Sequence, residues 1–130
     1  MSDLTREGFN SSLYLAALGD LLANFSETER EKEVKKTKGI FQFTITNKDK
    51  QEESWTIDLK KDGKVVHGPL EKPDIIISLT GDTFVELADN KLDPQKAYLS
   101  GKIKTKGNLM LALKLKAVLS MAKAKVQAKL

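Results

Sequence analysis

The chain has 130 residues, 40% of them apolar and 31% charged, with a net charge of +4 and a pI near 9.2. That is enough for one domain built on a single core. The absence of cysteine excludes disulfides, thiol catalysis and thiolate metal sites. No apolar run approaches the length of a membrane span, and the first residues, Met1 to Phe9, lack the basic-then-apolar layout of a secretory signal. The positive balance permits attraction to anionic membranes or acidic ligands without requiring it, and the expected compartment is intracellular, or an organelle reached by another signal.

Residues 1–8 are polar and read as a loose arm. The spacing of Tyr14, Leu15, Leu18, Leu21, Leu22 and Phe25 predicts a helix over 9–25, with Asn10, Ser11 and Ser12 as available caps. Phe9 and Leu13 project off that stripe and leave apolar surface to spare. Ser26 and Glu29 form a capping box for a second, highly charged and solvated helix to about Lys36, supported by Glu31 and Lys35 one turn apart. After Lys38-Gly39 the period changes to two. Phe41, Phe43 and Ile45 share one face of a first strand, and Trp55, Ile57 and Leu59 share one face of a second. Asp62-Gly63 is a hairpin signal leading into a third strand, Lys64 to His67. Gly68-Pro69 and Pro73 frame a loop before a fourth strand with Ile75, Ile77 and Leu79 in phase.

Thr80 or Asp82 caps a third helix carrying Phe84, Val85, Leu87 and Ala88. Asp93-Pro94 starts a short fourth helix through Leu99, which Gly101 ends. A fifth strand is expected at Lys102 to Thr105, followed by a Gly107-Asn108 break and a long terminal helix. On that helix Leu111, Leu115, Val118, Leu119, Ala122 and Val126 form one stripe, while Leu109, Met110 and Leu113 lie outside it. A helix end that is apolar nearly all round needs burial on every side, or a hydrophobic cavity or partner. An amphipathic core helix with a basic back (Lys114, Lys116, Lys123, Lys125) is one account of this; a lipid site lined by the surplus is the other. Alternating strands give a sheet with one wet face and helices on the other: an α+β, two-layer domain spanning 1–130.

Little chemistry is on offer. His67 sits by a Gly-Pro turn with no nucleophile spaced around it, and Glu52 and Glu53 point to opposite faces of a strand. No phosphate-binding, nucleophile-elbow or metal-ligand pattern occurs, so no cofactor and no metal is expected. Lysines spread among acids and scarce aromatic residues argue against a nucleic-acid partner. The ending Ala128-Lys129-Leu130 resembles the Ser-Lys-Leu class of peroxisomal address, which is read at a free carboxy terminus.

Four segments carry a family resemblance: Gly39-Ile40-Phe41-Gln42-Phe43, Ser54-Trp55-Thr56-Ile57-Asp58-Leu59-Lys60, Leu92-Asp93-Pro94-Gln95-Lys96-Ala97, and the run from Ser100 to Leu115, SGKIKTKGNLMLALKL. Over residues 8–130 the chain resembles the sterol carrier protein 2 family. The resemblance implies a five-stranded, mainly antiparallel sheet covered on one face by about five helices that enclose a hydrophobic tunnel. It also implies binding of fatty acids, fatty acyl-CoA, sterols or phospholipids, and a peroxisomal location. On this reading the protein is a stand-alone, non-enzymatic lipid carrier, with the ligand between the sheet's inner face and the terminal helix. The alternative is a non-catalytic accessory module that docks on a peroxisomal β-oxidation enzyme.

The expected wall residues are Phe84, Leu87, Tyr98, Leu99, Leu109, Met110, Leu113 and Val118. Trp55, Ile57 and Ile77 are either its floor or plain sheet core. Gln95 and the helix lysines are placed to meet a carboxylate or phosphate. Expected partners are the lipid, a peroxisomal import receptor and, through Phe9 and Leu13 of the first helix, a transient anionic membrane surface. A monomer in the peroxisome, with a cytoplasmic pool, completes the expectation.

Overall fold

A computed structural model of the chain describes residues 4–69 and 72–120. Strand β1 (Gly39–Thr46) pairs antiparallel with β2 (Glu52–Leu59), setting Phe41 opposite Ile57 and Phe43 opposite Trp55. The Asn47 carboxamide oxygen closes the turn between them, accepting from the amides of Asp49 (3.0 Å) and Gln51 (2.9 Å). Strand β3 (Lys64–His67) pairs antiparallel with β2. Strand β4 (Ile75–Thr80) lies on the other side of β1 and runs parallel to it, and β5 (Lys104–Gly107) closes that edge antiparallel to β4. The order is β3-β2-β1-β4-β5. The sheet is therefore mixed: mainly antiparallel, as expected, with one parallel pairing.

Period-two alternation sends Phe41, Phe43, Ile45, Trp55, Ile57, Leu59, Ile75, Ile77 and Leu79 to one face, where all are buried. Helices α1 (Ser11–Ala23), α2 (Glu27–Thr37), α3 (Gly81–Ala88) and α4 (Pro94–Leu99) are followed by a 3-10 turn at Leu109–Lys114 and an α-helical run at 115–120. Phe84 of α3 meets Phe43 edge-on at 5.3 Å, and a Cβ at Gly39 would strike Leu111 at 2.7 Å; α3 and the 3-10 turn thus pack on the inner face. Each large apolar side chain buried there contributes roughly 1.5–3 kcal/mol. Tyr14 of α1 donates its hydroxyl to Asp89 at 2.9 Å. Partial burial, then that bond and the nearby carboxylate charge, push its pKa up to about 12.

The caps follow the sequence closely at three helices. Ser26 accepts from the Glu29 amide while the Glu29 carboxylate accepts from the Ser26 amide. Thr80 caps α3, and Asp93 accepts from the amides of Gln95 and Lys96 ahead of α4. The start of α1 differs: Asn10 makes no side-chain cap, and Ser12 instead donates to the Phe9 carbonyl (2.6 Å) and accepts from the Arg6 amide (3.0 Å). Residues 4–8 are not a loose arm either. The Leu4 carbonyl accepts from the Trp55 indole at 2.7 Å, and Leu4 packs against the core.

The outer face is less wet than alternation predicts. Thr56 and Asp58 point outward yet are buried. The chain leaving β3 passes over Thr56, whose hydroxyl donates to the Gly68 carbonyl at 2.8 Å. Asp58 turns its carboxylate onto the amides of Lys60 (2.9 Å) and Lys61 (3.0 Å), so it is the residue that fixes the hairpin into β3.

Strand β5 begins two residues later than expected. The amides of Lys102 and Ile103 both donate back to the Ala97 carbonyl (2.9 and 3.3 Å), so these residues close α4 and bury Ile103. Pairing then starts at Lys104 opposite Ser78. The strand ends at Gly107, with φ +116°, where a Cβ would collide with the Asp74 carbonyl oxygen. Gly107→Ala is therefore expected to lower unfolding free energy by roughly 2–4 kcal/mol, measured as a fall in the urea midpoint. An unchanged midpoint would mean that this junction tolerates a side chain.

Candidate functional site

Helix α4 and the 3-10 turn pack against each other. The Asn108 side chain opens the turn by accepting from the Met110 amide at 3.0 Å. Its tight 3-10 winding stacks residues three apart, so Met110 and Leu113 stand in one row, 68% and 62% exposed. Leu111 turns inward instead, and Lys114 is tied down by donating to the carbonyls of Lys36 (3.3 Å) and Thr37 (3.0 Å) at the end of α2. On α4, Pro94 and Ala97 are buried, which leaves Tyr98 and Leu99 facing out, Leu99 with 75% of its surface in water. Leu109 is also exposed.

Five of the residues expected to line a lipid site (Tyr98, Leu99, Leu109, Met110 and Leu113) are thus large apolar side chains gathered on two touching elements. Gln95 is exposed one turn before Leu99. The other six are buried: Phe84, Leu87 and Val118 in the helical layer, and Trp55, Ile57 and Ile77 on the sheet's inner face with no exposed surface. These three are core in this arrangement, one of the two readings their sequence left open. Phe9, read as surplus surface, is buried edge-on against Trp55 at 5.6 Å. Of the pair offered for membrane contact, only Leu13 is exposed. Ala128, Lys129 and Leu130, with Ala122, Lys123, Lys125 and Val126, lie outside the described residues.

Sequence reading missed Thr105. It pairs with Ile77, which pairs with Phe43, which pairs with Trp55, so all four share the inner face in one row across the sheet. Its hydroxyl oxygen is buried and, among the described residues, has no hydrogen-bond partner. A polar residue at an inward phase of a strand is the signal that could have found it, and a two-residue shift of β5 leaves that phase unchanged, with Thr105 in step with Ile103 in the expected strand as well.

Among the described residues, surface clefts lie elsewhere. One of about 450 Å³ lies among Phe9, Ser11, Asn47, Thr80 and Asp82, and another of about 780 Å³ among Leu4, Arg6, Arg30, Val65 and His67. A third borders Arg30, Val34 and Lys61. None of the twelve expected lipid residues lines them. His67 pairs with Glu53 at 2.8 Å and lies edge-on to Trp55. Among the described residues, no group of three or more acidic or histidine side chains is arranged to hold a metal ion.

Comparison with known proteins agrees with this fold. The model of the SCP-2 sterol transfer family matches residues 18–120. The chain is 39% identical over 114 residues to the oleate-induced peroxisomal protein POX18 of Candida maltosa, covering 86% of this chain and 88% of that one. It is 36% identical over 120 residues to a fatty acid-binding protein of Yarrowia lipolytica, covering 89% and 93%. Among solved structures, sterol carrier protein 2 from Yarrowia lipolytica (apo form) superposes with a TM-score of 0.85 at 34% identity, over 93% of this chain and 98% of that one. With the matched segment running from within α1 through the 3-10 turn, this chain belongs to the SCP-2 sterol transfer family.

Proposed function

We propose that this protein is a non-enzymatic carrier of fatty acids, fatty acyl-CoA or sterols that acts in the peroxisome. The observation that carries the reading is the family match across residues 18–120. Relatives of near-equal length named for fatty-acid binding and for the peroxisome support it. The lipid chain lies between the sheet's inner layer and the 3-10 turn, against Phe84, Leu87 and Val118, and covers Tyr98, Leu99, Leu109, Met110 and Leu113. Trp55, Ile57 and Ile77 become its floor only where the helices lift from the sheet. At roughly 0.8 kcal/mol per buried methylene, a C16 chain offers on the order of 10 kcal/mol of transfer energy. Ordering the chain and desolvating its head group remove part of that, which gives an expected affinity in the micromolar range or tighter. Apolar walls separate lipids differing by one methylene by only about 1–3 kcal/mol, so a broad preference follows. Gln95 and the Thr105 hydroxyl are the polar groups assigned to the ligand's polar end. Import through Ala128-Lys129-Leu130, with a cytoplasmic pool, belongs to the same proposal.

Native mass spectrometry of protein purified without delipidation should show adducts of fatty-acid or acyl-CoA mass. A mass that stays bare after adding palmitate, palmitoyl-CoA and a sterol would overturn the reading. Leu113→Arg should fold normally, because the side chain is exposed, and weaken palmitate binding at least about tenfold. Thr105→Val should raise unfolding free energy by about 1 kcal/mol by removing an unsatisfied buried hydroxyl, while weakening lipids whose polar end it serves; unchanged affinity for every lipid tested would remove it from the site. Deleting Leu130 from an amino-terminally tagged protein should shift it from peroxisomes to cytoplasm in living cells, and retained peroxisomal signal would dismiss the address.

A further inference from the structure

The carboxyl ends of the parallel pair, Thr46 of β1 and Thr80 of β4, lie side by side. Helix α3 starts from the second, and the start of α1 borders the same cleft of about 450 Å³. Both helices bring the positive end of their dipoles to it. A second observation marks the place between them. Ser11, the first residue of α1, lines the cleft and is fully buried, and among the described residues its hydroxyl has no hydrogen-bond partner. It faces the bare backbone of Gly81, where an added Cβ would stand 3.7 Å from the Ser11 Oγ. A buried hydroxyl costs free energy until a bound group or water satisfies it. Among the described residues, the charged lining is Lys48 and Asp49 of the β1–β2 turn and Asp82 of the first turn of α3. All three are exposed, and none forms an ion pair with another described residue.

We propose that this cleft binds a small phosphorylated amine, a phosphate monoester with an ammonium group a few bonds away. The phosphate would sit between the two helix starts, with the Ser11 hydroxyl donating to one oxygen and Lys48 to another. Asp49 and Asp82 would take the ammonium. Each half of the lining disfavours a simpler ligand. A free anion would meet two carboxylates against one lysine, and a plain amine or metal cation would face two positive helix ends. A carboxylate offers two oxygens where helix ends, hydroxyl and lysine converge, and a phosphate monoester offers three. The face of α4 and the 3-10 turn takes no part. It lies toward the far end of β1, where Gly39 stands against Leu111 of that turn. The cleft is read on protein without added lipid, so it succeeds or fails separately from the carrier reading.

Amide NMR of the full chain, titrated with O-phosphoethanolamine, inorganic phosphate or ethanolamine, tests the site. The expected result with phosphoethanolamine is saturable shifts at Ser11, Gly81 and Asp82, at millimolar concentration or below. Phosphate alone should bind at least about tenfold more weakly, and ethanolamine alone should leave these amides unmoved. Ser11→Ala should weaken phosphoethanolamine about tenfold without lowering the urea midpoint, because it removes a hydroxyl that folding leaves unpaired. Asp49→Asn/Asp82→Asn should cancel the preference for phosphoethanolamine over phosphate. Gly81→Ala puts a methyl at ordinary contact distance from Ser11 and Ile45, so it should fold and abolish binding. Should it misfold, the serine and aspartate variants decide. Glycerophosphoethanolamine, whose second ester removes one free oxygen, should bind more weakly than the monoester; equal binding would overturn the assignment in favour of a lipid head group. No saturable shift at the three amides up to about 50 mM, phosphate binding as tightly as phosphoethanolamine, or a preference that survives loss of both aspartates would each overturn it as well.

Discussion

At the entry to β4, Asp74 holds three parts of the chain together. Its amide donates to the Ile40 carbonyl and its carboxylate accepts from the Ile40 amide, both at 2.9 Å, so β4 is clamped beside the start of β1 from two sides. Its second carboxylate oxygen meets the Lys60 ammonium at 3.3 Å, and its carbonyl accepts from the Asn108 amide at 2.8 Å. Parallel pairing is somewhat weaker per residue than antiparallel, and β1 with β4 is the sheet's one parallel pair. An ionised acceptor at its first rung is stronger than a neutral one. Because the same residue holds the chain as it leaves β5, it also sets where the 3-10 turn starts, and with it the direction in which Met110 and Leu113 face.

What could be read from residue order alone was what depends on neighbours in sequence. Alternation in Phe41-Gln42-Phe43-Thr44-Ile45, the Ser26–Glu29 box and the Asp93-Pro94 start each act within a few residues, and each is realised. What was not legible depends on partners far along the chain. Nothing local in Ile75 to Thr80 says that it pairs in parallel with β1. Nothing near Lys102 and Ile103 says that Ala97 will take both amides and delay the strand. Phe9 looked like surplus because its partner, Trp55, is 46 positions away. The exposed apolar cluster was legible as a surplus of apolar residues around Leu109, Met110 and Leu113, but not as an assembly, since only tertiary packing brings α4 beside them.

Apolar surface in this fold is thus divided between two duties. The inner row from Trp55 through Phe43 to Ile77 is sealed and serves cohesion, with an orphaned hydroxyl at its end on Thr105. The outer group from Tyr98 to Leu113 contributes little to cohesion, because water already covers most of it. Substitutions should therefore separate: changes in the inner row act on stability, and changes in the outer group act on what the protein meets. A family that handles lipids needs both, since a core rigid enough to hold the sheet cannot itself offer open apolar surface.

The indole of Trp55 has a consequence for how this molecule can be watched. It is the one tryptophan of the sequence; its N–H is spent on Leu4, and its ring is wedged between Phe9 and His67. Intrinsic emission therefore reports on the segment leading into α1, across the sheet from α4 and the 3-10 turn. A guest seated against Leu99 and Met110 alone can be optically silent at this wavelength, and a change in emission would signal that the packing around Trp55 has opened, either at the amino-terminal segment or over the sheet's inner face.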